Sequence, residues 1–126
     1  MESTTPPCPF CAISDAVFLL NQHVHARWDL HPVTPAHALL VPNRHVASFF
    51  DTTDDERAAL LQLLKEAKAL LDDRHAPAGY NIGINIGEAA GQTIPHAHVH
   101  LIPRYHGDVE NPRGGVRGVI PARQSY

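Results

Sequence analysis

An α+β fold, in which one long α-helix packs on an antiparallel β-sheet, is what the 126-residue sequence predicts from three stretches. The first is helical: Thr53 and Glu56 form a capping box, and Leu60, Leu61, Leu64, Ala67 and Leu71 recur at helical spacing before Ala76-Pro77 and Gly79. The second alternates Tyr80, Ile82, Ile84 and Ile86 with Asn81, Gly83 and Asn85, the period of a strand with one apolar face. The third, Ile94 to Pro103, alternates in the same way and supplies another strand.

Taken in order, Met1 to Pro7 reads as a flexible leader, polar and without periodicity, ahead of a Cys8-Pro9-Phe10-Cys11 knuckle. Val17 to Leu20, Val24 to Asp29 and His37 to Val41 read as short strands, separated by turns such as His31-Pro32-Val33-Thr34-Pro35. Their short connections favour antiparallel pairing. The helix is expected from Asp54 to Arg74, followed by strands Gly79 to Gly87 and Ile94 to Pro103 joined by the loop Glu88 to Thr93. From Asp108 to Tyr126 glycines, prolines and the arginines Arg113, Arg117 and Arg123 show little periodicity, which predicts a tail wrapped on the domain without a core of its own. With no internal repeat or low-complexity tract, residues 1–126 read as one domain.

An apolar fraction of 44% against 18% charged residues places the chain among soluble globular proteins. A net charge of −3 argues against stable nucleic-acid binding, so any phosphate must be gripped locally. Apolar runs such as Ala36 to Pro42 are too short to span a membrane, and the first residues lack a signal-peptide pattern, so a cytoplasmic protein without membrane attachment is expected.

The strongest chemical signal is His96-Ala97-His98-Val99-His100-Leu101-Ile102. In an extended strand the three imidazoles project from one face about 7 Å apart, while Ala97, Val99 and Leu101 turn to the core. Three polar rings in a row occupy positions that packing alone would have made apolar. Cys8 and Cys11, two residues apart, could offer two thiolates to a tetrahedral zinc, whose other ligands would have to be histidines because the chain has no further cysteine. A dithiol redox pair and a catalytic metal held by the histidines themselves are the competing readings.

The His-Ala-His-Val-His-Leu-Ile run, with Gly91-Gln92-Thr93 ahead of it, resembles the signature of the histidine-triad (HIT) family, and the similarity extends from Cys8 to about Arg104. The resemblance implies a HIT-like fold and a nucleotide hydrolase or transferase that works through a covalent nucleotidyl-histidine. By it, His98 is the nucleophile on the α-phosphorus, His100 a donor to a non-bridging phosphate oxygen and His37 a fourth active-site histidine. Asp29 is placed at the ribose hydroxyls. Asn85 and Thr93 are placed at the α-phosphate or leaving group, with backbone N–H groups of the Gly91-Gln92-Thr93 loop as further donors. Phe10, Ile13, Trp28 and Leu30 are placed around a slot for a purine base.

The zinc-bearing, bacterial-type branch of the family implies His45 and His96 as partners of Cys8 and Cys11 around a structural zinc. The expected substrate is a dinucleoside polyphosphate such as diadenosine tetraphosphate, and the tail arginines lean the same way because guanidinium groups bind phosphate bidentately. A purine nucleoside phosphoramidase is the alternative, and a non-catalytic nucleotide-binding or interaction module is the reading from another class. The family resemblance further implies a homodimer formed through the long helix and a strand.

Overall fold

The computed structural model describes residues 8–126; the leader expected at residues 1–7 lies outside the described residues. Five strands, β1 (Val17–Leu20), β2 (Val24–Trp28), β3 (Ala38–Pro42), β4 (Gly79–Ile84) and β5 (Val99–Arg104), accompany one long helix, α1 (Asp54–His75). The strands form one sheet in the order β1-β2-β3-β5-β4 with every pairing antiparallel, so the fold is α+β as the periodicities predict.

The helix covers one face of this sheet. Leu60, Leu63, Ala67 and Leu71 of α1 are buried against Val24, Ala26, Ala38, Leu40, Val99 and Leu101. Because strand side chains alternate, the positions between these belong to the opposite face: His25 and Arg27 on β2, Leu39 and Val41 on β3, His100 on β5, Asn81 and Gly83 on β4. There the knuckle residue Phe10 packs on Leu39 and Val41, with Cys8 and Ile94 beside them. The imidazoles thus lie on the helix-free face.

The capping box closes at both ends, Thr53 Oγ1 accepting from the Glu56 N–H at 3.0 Å and Glu56 Oε1 accepting from the Thr53 N–H at 2.9 Å. Arg44 donates to the same Glu56 carboxylate at 2.8 Å, which ties the loop after β3 to the start of the helix. One apolar helix position differs from expectation. Leu61 is 66% exposed and Leu63 is fully buried, because the stripe facing the sheet is centred on Leu60, Leu63, Ala67 and Leu71 and Leu61 lies about 100° round the helix from Leu60.

The strand expected from Ile94 begins only at Val99. Pro95 has no N–H to donate, and the Ala97 N–H turns aside to the Val46 carbonyl at 2.7 Å instead of joining a ladder. The strand expected to reach Gly87 stops at Ile84, and Gly87 takes a φ of 88°. The tail folds into two short 3₁₀ turns, Gly115–Val119 and Pro121–Arg123, and leans on β4 where Gly115 approaches Asn81. Arg113 and Arg117 each stand 4.9 Å from the Tyr126 ring centre. Among the described residues no helix is long and apolar enough to cross a membrane.

Gly114 fixes the path of this tail: its φ is 89°, and a Cβ there would lie 1.8 Å from the Gln124 carbonyl oxygen. A Gly114→Ala substitution should therefore detach the tail while sparing the sheet. Left-handed strain of about 1–2 kcal/mol, added to the clash, should raise the open population roughly tenfold or more. Limited trypsin digestion checks it: cleavage after Arg113 or Arg117 should accelerate accordingly, and an unchanged rate would show that Gly114 does not hold the tail.

Candidate active site and metal centre

His96 sits where the chain enters β5, fully buried, with its backbone held by Pro95 and by the Ala97–Val46 hydrogen bond. Its Nε2–H donates to the Pro42 carbonyl at 2.7 Å, so Nδ1 carries the lone pair. That nitrogen faces both knuckle sulfurs, 3.3 Å from Cys8 Sγ and 3.5 Å from Cys11 Sγ, while His45 Nδ1 lies 3.1 Å from Cys11 Sγ. The four ligand atoms lie within 4.8 Å of one another. Tetrahedral zinc, with bonds near 2.3 Å to sulfur and 2.0–2.1 Å to nitrogen, gives a sulfur–nitrogen edge of about 3.5 Å, so the donor set fits a closed four-ligand metal. A dithiol redox pair has no use for two imidazole nitrogens aimed at its sulfurs.

Two residues on, His98 turns its Nδ1–H to the carbonyl oxygen of His96 at 2.8 Å. In the neutral ring this puts the proton on Nδ1 and the lone pair on Nε2. The Phe10 ring meets His98 edge-on, 5.0 Å between ring centres at 69°, and His100 stands 5.2 Å away on the other side.

His100 has the opposite tautomer. The Val33 N–H donates to His37 Nδ1 at 3.2 Å, so His37 carries its proton on Nε2, which lies 2.9 Å from His100 Nδ1 and 3.4 Å from Asp29 Oδ2. His100 Nδ1 is therefore an acceptor, and its proton is on Nε2. Burial, reinforced by the neighbouring His98 and His37, pushes the His100 pKa down to about 4. Burial also lowers that of His37, against the pull of Asp29. Both rings are neutral at pH 7, and the face presents a bare nitrogen on His98 beside an N–H donor on His100.

Asp29 accepts from the His31 N–H at 2.8 Å through Oδ1 and faces His37 through Oδ2, so it belongs to the histidine line. Asn85 lines a cavity of about 440 Å³ with His37, His100, Gly83, Val116 and Val119. Gly83 pairs with His100 across the sheet, and a Cβ there would meet open space, which keeps the floor beside His100 clear.

Gly91, Gln92 and Thr93 border a different recess, with Ala47, Glu88 and Pro95. Of the backbone N–H groups expected there as further donors, two have partners within the loop. Gly91 donates to the Glu88 carbonyl and Gln92 to that of Gly87, because the 3₁₀ turn Glu88–Ala90 closes on itself. The Gln92 side chain is also occupied, accepting from the Gly87 N–H at 2.9 Å and donating to the Ala47 carbonyl at 2.7 Å.

Of the residues expected around a base, the structure brings Phe10 to His98. Ile13 and Leu30 are 61% and 80% exposed. Trp28 stacks on Phe18, ring centres 3.9 Å apart, and joins the helix-side cluster, since alternation along β2 sends it the way of Val24 and Ala26. Two buried polar residues were passed over in the sequence, His25 and Arg27. Their signal was the same alternation: a strand whose outer face carries an imidazole and a guanidinium must supply both with partners.

A family model described as HIT domain matches residues 12–107. The chain is 36% identical over 114 residues to an AP-4-A phosphorylase of Mycobacterium tuberculosis, covering 85% of this chain and 58% of that protein. It thus spans little more than half the length of that relative. Among solved structures, a HIT family protein from Bacillus anthracis superposes with a TM-score of 0.76 at 32% identity, covering 83% of this chain and 78% of that one. A zinc-bound histidine triad family protein from Mycobacterium smegmatis superposes at 0.74 with 28% identity, covering 82% and 79%.

Burial holds His25, His37 and His100 below the ordinary imidazole range. Unfolded histidines titrate near pH 6.5, so between about pH 6.5 and 4 the unfolded chain binds more protons than the native one. This stability is fully present above about pH 6.5 and is lost as the pH falls towards 4. Urea midpoints at pH 7.5, 6.0 and 5.0 should decline in that order, with a shallower decline in His100→Asn; equal slopes in the two proteins would show that His100 titrates normally.

Proposed function

The chain belongs to the HIT domain family, and on that footing we propose that it hydrolyses dinucleoside polyphosphates of the diadenosine tetraphosphate kind at an α-phosphate, through a nucleotidyl group carried on His98. The observation that carries this reading is the pair of opposite tautomers, a bare Nε2 on His98 beside an Nε2–H on His100. The Mycobacterium tuberculosis relative, named as an AP-4-A phosphorylase, supports the substrate class.

In the first step the His98 Nε2 lone pair attacks the α-phosphorus and the phosphorus–oxygen bond to the leaving phosphate breaks. The leaving nucleotide departs with the electron pair of that bond. The His98 ring becomes cationic, and its Nδ1–H bond to the His96 carbonyl strengthens as it does so. His100 donates to the non-bridging oxygen on which charge accumulates. Water then attacks the phosphorus and releases a proton to solvent, the phosphorus–nitrogen bond breaks with its electron pair returning to Nε2, and a nucleoside monophosphate leaves with His98 restored.

His37 fixes the His100 tautomer, Asp29 beside it is assigned to the ribose hydroxyls, and Asn85, which lines the cavity with His100, to the α-phosphate or leaving group. Thr93, which borders the neighbouring recess, is assigned to the α-phosphate or leaving group, and Phe10, with the exposed Ile13 and Leu30, to the base. A phosphoramidate would use the same atoms, differing only in the leaving amine. The AP-4-A phosphorylase of Mycobacterium tuberculosis favours the polyphosphate. A module that only binds nucleotide has no need of a nucleophilic nitrogen held bare.

Cys8, Cys11, His45 and His96 are assigned to a structural zinc, which would supply a cross-link and no reacting group. The zinc-bound relative from Mycobacterium smegmatis supports this. The catalytic unit is taken as one domain with the tail of residues 108–126 beyond the family match. It is placed in the cytoplasm, where free thiols persist. As partner we assign a second copy of the chain, meeting along α1 and the edge strand β4.

Intact-protein mass spectrometry during turnover of diadenosine tetraphosphate, with adenosine phosphoramidate in parallel, tests the reaction. An adenylyl group should map to His98, and His98→Asn should lose the adduct and at least about a thousandfold in kcat. His100→Asn should still form the adduct, with kcat lower by roughly 10²–10³ and KM little changed. Full activity in His98→Asn would end the covalent reading.

A further inference from the structure

Arg27 is 6% exposed, and among the described residues no carboxylate pairs with it. A buried guanidinium needs partners for all its donors. Here Nη1–H donates to the Pro9 carbonyl at 2.9 Å and Nη2–H to the Ala12 carbonyl, one within the knuckle and the other just past it. The guanidinium carbon also lies 5.3 Å from the centre of the Phe10 ring.

The Nε–H points the other way. Arg27 Nε–H donates to His25 Nε2 at 3.2 Å, and His25 Nδ1–H donates to Asn43 Oδ1 at 2.9 Å. Asn43 is two residues before His45, whose Nδ1 faces Cys11 Sγ. One line of hydrogen bonds along the outer face of β2 therefore joins the loop that carries the two cysteines to the loop that carries His45. These two loops are far apart in sequence, and neither owns a strand pairing that would fix it against the other.

We propose that Arg27, through His25 and Asn43, is a positioning residue that holds the Cys8–Cys11 knuckle and the His45 loop in ligating register before a metal arrives, and so sets the affinity of the metal centre. The proposal rests on the zinc assignment above. Through Phe10, whose ring meets both the guanidinium and His98, the same clamp reaches the nucleophile without touching substrate.

Zinc affinity measured against a chromophoric chelator on the full, reduced chain tests this, with cobalt spectra as a second readout. The wild type should bind one zinc per chain and Cys11→Ser should lose it. Removing a partner that orients metal ligands typically costs 10–100-fold in metal affinity, and Arg27→Met should fall by about that much. Arg27→Lys keeps the charge but loses the fork, so it should fall less, by roughly 3–10-fold. At saturating cobalt both variants should show the wild-type thiolate-to-cobalt absorption, because the ligands are unchanged and only their prior arrangement is lost.

Affinities within twofold of wild type in both variants would overturn the clamp while leaving the zinc assignment standing. If Arg27→Met fails to fold, Arg27→Lys decides, and wild-type affinity there overturns the clamp. A wild type that takes up no zinc would remove the metal assignment and the clamp together.

Discussion

The site depends on what one residue does with three of its atoms. His96 gives its Nε2–H to the Pro42 carbonyl, keeps Nδ1 bare towards two sulfurs, and offers its own carbonyl to the Nδ1–H of His98. The first contact fixes the ring, the second leaves it able to ligate a metal, and the third decides which nitrogen of the next histidine is free. A histidine that titrates or flips loses its chemistry, so a nucleophilic imidazole needs its second nitrogen held. Here the holder is a backbone carbonyl, which cannot take up the proton in return, and its position is set by the donor set gathered at the same residue.

The sheet divides the work of the protein between its faces. Alternation sends Val24, Ala26, Leu40, Val99 and Leu101 to the helix, where close packing makes a stiff floor. The other face packs the smaller Phe10, Leu39 and Val41 cluster and carries His25, Arg27 and His100, with His98 just before the strand. Rigidity also enters from the side: Arg44 lies between Asn43, which reaches the buried His25, and His45, and bonds the capping-box glutamate at the start of α1. The helix start, the ligand loop and the knuckle are thereby placed relative to one another by three consecutive residues.

The sequence made much of this legible because the signals were periodic or local. The capping box, the alternation of β4 and the Cys8–Cys11 spacing each depend on neighbours within a few residues, and each appears in the structure. The face of α1 was less legible, since Leu60, Leu61, Leu63 and Leu64 offer several apolar stripes and only tertiary packing chooses among them. The entry to β5 departs from its periodicity for a physical reason. Alternating apolar residues before Val99 look like strand, but Pro95 and the Ala97 bond to Val46 take the backbone out of the ladder. Alternation on β2 carried the signal for the inward Trp28 and the outward His25 and Arg27, against the base slot that the resemblance implies for Trp28, whereas nothing local carries the tautomer of each triad histidine, because it is set by carbonyls and amides from Pro42, His96 and Val33.

Long-range proton–nitrogen NMR of the imidazole rings at pH 7.5 tests the central claim most directly. His98 should show a protonated Nδ1 and an unprotonated Nε2, and His100 the reverse, as fixed tautomers in the same protein. Finding the proton of His98 on Nε2, or both nitrogens of His98 averaged by rapid exchange, would contradict the account.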